Sequence, residues 1–465
     1  MIDRNAQYPG RVKLTPVSGQ TNIYDMELAD SPRQVGTPLN KATFLTDATA
    51  EKIRASTAEA TAPETVNEAL SMLAGSGTIV LDGVYSSYGA THSAPTNGLS
   101  SARYGLAGAS VGNYALFAGG YTTSASNVVN AYDTSLTRTT ASNLSASRQR
   151  LAGASVGNYA LFAGGVGTSS KSAVVNAYNT SLTRSTPTSL GTARSYLAGA
   201  SVGNYAIFAG GLSGTNDTAS SAVDCYNTSL TRSAGTALSA ARDRLGGASV
   251  GNYALFAGGG SDSTVVDAYD TSLTHSTASS GLSTGRKEPA GGSIGSYALF
   301  GGGYTSSNTR SNVVDAYNTS LTRSTPTALS EARSALAAAG TESQLFFAGG
   351  LPASGYSNVV DAYDTSLTRT TPTALDTARS LLAGASVGGY ALFAGGSTGS
   401  TSAVVDAYSA AYTTAFKIPA MSFYKFDGYH NAEQFTKDGV DWSSTGTAPL
   451  SGYIKTGGIV SGLIS

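Results

Sequence analysis

Apolar positions along this chain come in short blocks separated by glycines and small polar residues, and the blocks return in a fixed order. The clearest copy is RYGLAGASVGNYALFAGG, residues 103 to 120, which recurs six more times. LAGASV and YALFAGG within it are strand-length runs divided by a glycine-asparagine turn, and VVNAYD and an LTRTT region follow. Runs of this kind, bounded by turn residues, predict four antiparallel strands per repeat, A to D. Strand A is built of small residues, as an innermost strand crowded near an axis requires. Strand B alternates, as a half-buried strand should.

A glycine pair closes strand B in every copy: Gly119-Gly120, Gly164-Gly165, Gly210-Gly211, Gly258-Gly259, Gly302-Gly303, Gly349-Gly350 and Gly395-Gly396. Each first glycine lies 16 residues after an arginine: Arg103, Arg148, Arg194, Arg242, Arg286, Arg333 and Arg379. Repeat length runs from 44 to 48 residues. Units of this size cannot bury both faces alone, and seven copies are enough to close a ring. The pattern predicts an all-β, seven-bladed β-propeller over residues 78–420.

Composition narrows the partners. Charged residues make up 12% of the chain with a net charge of −1, about half the usual charged fraction, so no basic field points to nucleic acid. The amino terminus, MIDRNAQYPGRVKL, lacks the apolar core of a secretory signal. No apolar run approaches the roughly 20 residues that span a bilayer, so no membrane insertion is expected. Action outside a cell would then come through an assembly or by lysis. The single cysteine, Cys225, stands where other repeats carry alanine before the strand C tyrosine, which reads as a small core residue rather than a reactive thiol.

Outside the ring the pattern changes. Residues 1–50 are short apolar pieces broken by proline and glycine, an extended or β-rich arm. Within it GTPLNKATFL, residues 36 to 45, resembles the amino-terminal attachment segment of tail-fibre and baseplate proteins in phages and prophages of Gram-positive hosts. That resemblance implies attachment to a virion, localisation in a phage tail, contacts with other tail or baseplate proteins, and a homo-oligomer, commonly a trimer. Residues 51–77 form a linker, and helices are expected over 46–60 and 63–74, where Val66, Leu70 and Leu73 recur at helical spacing. Such short helices need a partner, either a copy of themselves or their own chain. Residues 78–102 resemble the second half of a repeat and are expected to lend an outer strand to the last blade, although YSAAYTTAFK offers a second candidate for that role. Residues 421–465 read as a separate small β element holding the only tryptophan, Trp442.

The glycine pair after an apolar strand and the tyrosine of strand C resemble the kelch repeat in all seven copies. The chain departs from it in lacking the tryptophan of strand D, where Leu136 and Arg138 stand in the first copy. Nearly all length variation falls between the glycine pair and that tyrosine, from 11 to 16 residues, which is the B–C loop. In a four-stranded antiparallel blade the B–C and D–A loops share one face, and the near-identical SVGNY and Y[DN]TSLT turns occupy the other. Variable loops on a rigid scaffold commonly carry binding, and these are rich in Ser, Gly, Asn and Tyr, as paratopes are. Tyr121, Tyr304, Tyr356, Asn216 and Asn308 are the candidates there for stacking on and bonding to a sugar. The seven arginines open strand A on the same face. They are candidates for a cationic ring that binds phosphate or carboxylate, or for structural groups bonding carbonyls of the neighbouring blade, the role that strict repetition favours. The outer series Arg138, Arg184, Arg232, Arg323 and Arg369, with His275 in the fourth copy, reads as a solvated row.

No catalytic constellation is legible. The three histidines, His92, His275 and His430, sit in unrelated contexts without ligand spacing. Asp217, Asp262 and Glu342 form no recognisable carboxylate pair. Asp224, Asp267, Asp315, Asp361 and Asp406 recur before the strand C tyrosine, replaced by Asn130 and Asn176 early on, and suggest a repeated structural bond, with a weak calcium site as the other reading. The expectation is a tail-fibre-type receptor-binding protein that recognises a host surface polysaccharide without a cofactor. A structural baseplate or decoration protein is the alternative, and a carbohydrate-active enzyme stands behind both.

Overall fold

The computed structural model describes residues 84–417, together with the short strands Val12–Pro16, Tyr24–Leu28 and Ile459–Val460. The helices expected over 46–60 and 63–74 lie outside the described residues, as does most of 421–465. Val12–Pro16 pairs antiparallel with Tyr24–Leu28, a hairpin within the expected arm.

Six antiparallel four-stranded sheets repeat along the described residues, each joined A to B to C to D in chain order, and a seventh sheet follows them with A, B and C in that order. In the first, Ala107–Val111, Tyr114–Ala118, Val129–Asp133 and Arg138–Thr140 are strands A to D. Each strand A touches the strand A of the next repeat, and Ala383–Val387 of the seventh touches Ala107–Val111 of the first. The sheets therefore follow one another around an axis in a propeller-like arrangement. In the last sheet Val84–Ser93 lies beside Val405–Lys417 as the outer strand. The segment before the first repeat thus supplies the missing strand, while YSAAYTTAFK simply prolongs strand C.

The small residues of strand A have a direct cause. A Cβ on Gly153 would meet the carbonyl oxygen of Gly108 at 2.1 Å, and one on Gly108 would meet that of Gly384 at 2.1 Å. Strand A buries alternate residues, whereas strand B, expected to alternate, is buried on both faces in YALFA apart from its first tyrosine. A half-buried alternation does not apply there because neighbouring sheets cover both sides. One sheet contributes Leu116 and Ala118 and the next contributes Phe162 and Tyr178 to a single apolar cluster. Leu392 and Ala394 of the last sheet likewise pack on Phe117 and Tyr132 of the first.

The strand C tyrosine is fully buried, stands edge-on to the strand B phenylalanine (Phe117 and Tyr132, 6.0 Å between centroids), and donates its hydroxyl to a carbonyl in the loop that follows the preceding sheet. Tyr178 reaches Ser142 O at 2.8 Å and Tyr363 reaches Thr327 O at 2.6 Å. Burial pushes the hydroxyl of Tyr132 up to about 12 and raises those of Tyr178, Tyr226, Tyr269, Tyr317, Tyr363 and Tyr408. These tyrosines lose their protons near pH 10 when unfolded and above that when folded. Their contribution is complete below pH 10 and disappears as pH rises toward the folded value. Stability should fall steeply above pH 10, and tyrosinate absorbance should rise in one step together with loss of β-sheet circular dichroism. Gradual ionisation with the sheet signal intact would show the hydroxyls to be accessible.

Cys225 is buried, and burial pushes its thiol up to about 12. It behaves as the small core residue expected.

Candidate functional site

The D–A and B–C loops meet on one face. In six repeats the residue after the arginine bridges the first residue after the glycine pair: Tyr104 with Tyr121, Gln149 with Val166, Ser195 with Leu212, Lys287 with Tyr304, Ser334 with Leu351, and Ser380 with Ser397. Neighbouring B–C loops also touch. Lys171 Nζ donates to Gly214 O at 2.6 Å and lies 2.5 Å from Asp217, Ser306 N donates to Asp262, and Arg310 Nε donates to Leu351 O at 3.1 Å.

The seven arginines do not project from this face. All are at most 1% exposed. Their backbones hold the preceding repeat: Arg148 N donates to Ser126 O, and Arg148 O accepts from Gly120 N. Their guanidiniums turn inward to strands B and C of their own repeat, not to the neighbouring blade. Arg379 donates to Phe393 O at 3.0 Å, Gly395 O at 2.7 Å and Asp406 at 2.5 Å. Arg333 pairs with Asp361 at 2.8 Å and Arg286 with Asp315 at 2.9 Å, while Arg194 and Arg242 pair with Asp224 and Asp267. Arg103 and Arg148 meet Asn130 and Asn176 instead, and burial lowers both guanidiniums to about 10. Each arginine therefore staples two repeats, with its backbone on one and its side chain in the other.

Wherever an aspartate stands on strand C, the outer residue completes this unit rather than belonging to a solvated row. Arg232, Arg323 and Arg369 reach the second oxygen of Asp224, Asp315 and Asp361, and His275 reaches that of Asp267 at 2.7 Å. In the last sheet His92, on the strand from before the first repeat, takes the same place beside Asp406 at 2.8 Å. Two histidines that looked unrelated are structural equivalents, and the shared tripeptide Thr-His-Ser at 91–93 and 274–276 was the available signal. The five aspartates are thus each held between a buried arginine and an outer arginine or histidine. His92, Asp376 and Asp406 come close enough to hold an ion, but Asp406 already pairs with Arg379 and His92.

The predicted loop residues are dispersed around the face. Asn216 is exposed, Tyr356 is 37% exposed, and Asn308 accepts from Arg310 at 2.7 Å. Tyr121 stacks obliquely on Tyr104 with 5.4 Å between centroids. Tyr304 lies under the Arg310 guanidinium, 5.4 Å from its centroid, and burial together with the Glu288 carboxylate raises its hydroxyl pKa.

A set of residues that the sequence analysis passed over surrounds the axis. Two positions after each arginine stand Gly105, Arg150, Tyr196, Arg244, Glu288, Ala335 and Leu381. All seven adopt left-handed φ, between 52° and 63°. Their backbones join around the axis: Arg150 N donates to Gly105 O, Tyr196 N to Arg150 O, Arg244 N to Tyr196 O, Glu288 N to Arg244 O, Leu381 N to Ala335 O and Gly105 N to Leu381 O. They rim a cavity of about 300 Å³ with Leu106, Leu151, Leu197, Leu245, Pro289, Leu336 and Leu382 beneath them. Further along the axis Ser110, Ser155, Ser201, Ser249 and Ser293 pass hydroxyl hydrogen bonds from repeat to repeat, as from Ser155 Oγ to Ser110 O at 2.6 Å. The signal was the fixed offset from the arginine, hidden because the seven residues share no chemistry.

Compared with known proteins, the chain matches no family model and no curated sequence.

Proposed function

We propose that the protein is a receptor-binding component of a phage tail, a non-catalytic seven-bladed kelch-like propeller that recognises a host surface glycan on the face shared by its D–A and B–C loops. One observation carries the reading. The loops that differ from repeat to repeat and the unlike residues at the axis lie on one face, over a scaffold whose other parts are nearly identical copies. A rigid frame with diversity confined to one side is the arrangement expected of a binding module. The arginines act as blade staples, so recognition falls to the loop residues and the axial rim. Virion attachment through residues 1–50, an oligomeric and commonly trimeric assembly, and contacts with other tail proteins follow from the resemblance of residues 36 to 45. Full-length protein should bind intact host cells, and periodate oxidation of the surface sugars should abolish that binding. Binding that survives oxidation would point to a protein partner.

A further inference from the structure

The axial rim combines a shared backbone conformation with unlike side chains. A left-handed backbone favours glycine, and a non-glycine residue there costs about 1–2 kcal/mol. The first repeat carries Gly105, yet six repeats keep side chains at this position. A second left-handed series, Leu136, Leu182, Leu230, Leu273, Leu321 and Leu367, is leucine throughout, and each side chain packs against an apolar cluster. At the rim the strain is retained while the chemistry changes, the pattern associated with functional positions.

The rim is also one-sided. The Arg150 and Arg244 guanidiniums approach the Tyr196 ring from the positions on either side of it, 4.6 and 4.4 Å from its centroid. Arg244 is balanced by Asp243 at 2.5 Å and Glu288 at 3.5 Å. Arg150 is exposed and, among the described residues, has the Tyr196 ring but no carboxylate partner within ion-pair distance. Across the axis, Ala335, Leu381 and Gly105 offer no charge, and the floor is apolar. One unmatched cation, held on the Tyr196 ring, and an apolar floor thus converge on a cavity of about 300 Å³, at the small end of the roughly 300–1,000 Å³ usual for ligand sites.

Building on the glycan-binding reading, we infer that the axial mouth is a subsite for a single acidic sugar unit, with its anionic oxygens on Arg150 and its apolar face against the leucine floor. The anionic group is a carboxylate, as on a uronic acid, or a phosphate, as on a polyol phosphate. The cavity admits a chain end or one unit, and longer contacts belong to the surrounding loops.

Calorimetric titration of the full chain with glucuronic acid, glycerol phosphate and glucose tests this. An acidic probe should bind at least tenfold more tightly than glucose, and the better of the two identifies the anion. Arg150→Ala should weaken that probe about tenfold, and Tyr196→Ala, which removes the ring that the Arg150 guanidinium rests on, should weaken it severalfold. Arg150→Lys should recover part of the loss, and thermal unfolding should be unchanged for both Arg150 variants because that side chain is exposed. Equal affinity for acidic and neutral probes, no binding of either acid, or indifference to Arg150→Ala overturns the inference. Periodate-sensitive cell binding that persists in Arg150→Ala would do the same while leaving the wider glycan reading in place.

Discussion

Gly153→Val should prevent the protein from reaching its native state. The added Cβ falls 2.1 Å from Gly108 O and 3.0 Å from the carbonyl carbon, and both are backbone atoms of an adjoining innermost strand. No side chain can swing aside, so relief requires one strand A to leave the axis and carry its sheet with it. The expected loss is about 4 kcal/mol or more, at the upper end for single substitutions. Gly389→Asn is the contrasting variant. It restores the residue found in the SVGNY turn of most other repeats, and a Cβ there meets nothing within 4 Å. Its φ of 83° is left-handed, a region asparagine tolerates, so its effect on stability should be within about 1 kcal/mol. Chemical denaturation of the two variants beside the parent separates close approach at the axis from a general intolerance of substituted glycines.

Asp361→Ala should cost about 3–5 kcal/mol, because it leaves Arg333 buried without its counter-ion. Asp361 also accepts from Arg369 at 2.7 Å and from Ser330 N at 3.0 Å, so three donors lose a partner together. Asp361→Asn should cost only about 1 kcal/mol. The protein already contains that solution twice. Where Asn130 and Asn176 replace aspartate, the inner arginine still bonds the amide oxygen, and Arg138 and Arg184 turn to Gly98 O and Asn143 O at 2.7 Å. Equal losses for the two variants would mean that charge, rather than occupancy of the hydrogen-bonding position, is what the buried arginine requires.

These two sites show what could be read from sequence and what could not. The fixed interval of 16 residues between arginine and glycine pair marks two groups in register, and the structure joins them: Arg194 donates to Gly210 O at 2.8 Å and Arg286 to Gly302 O at 2.8 Å. Strict repetition of the arginines pointed to a structural role, and their burial agrees, although their partners lie in their own repeat. The strand that completes the last sheet was legible in the likeness of residues 78–102 to half a repeat. The outer cations were misread because a row of arginines on an edge strand looks solvated until the aspartate behind it is placed. Strand B looked half-buried because period alone cannot register a neighbouring sheet on its second face. The axial rim was missed for a different reason. A motif search seeks likeness, whereas Arg150, Tyr196, Arg244 and Glu288 are related only by offset and by a shared backbone conformation that no side chain announces.

The central claim is that the variable face binds a host glycan, and pull-down of full-length protein on host cells with a loop-shortened variant tests it most directly. Tyr304 and Arg310 already bridge each other, and Thr305 N donates to Thr309 O, so Thr305–Thr309 can be replaced by Asn-Gly without disturbing the strands. Binding by the parent should be periodate-sensitive and weakened severalfold in the variant, with unchanged thermal unfolding. Undiminished binding by the variant together with loss of binding on altering the SVGNY turns of the opposite face would contradict it.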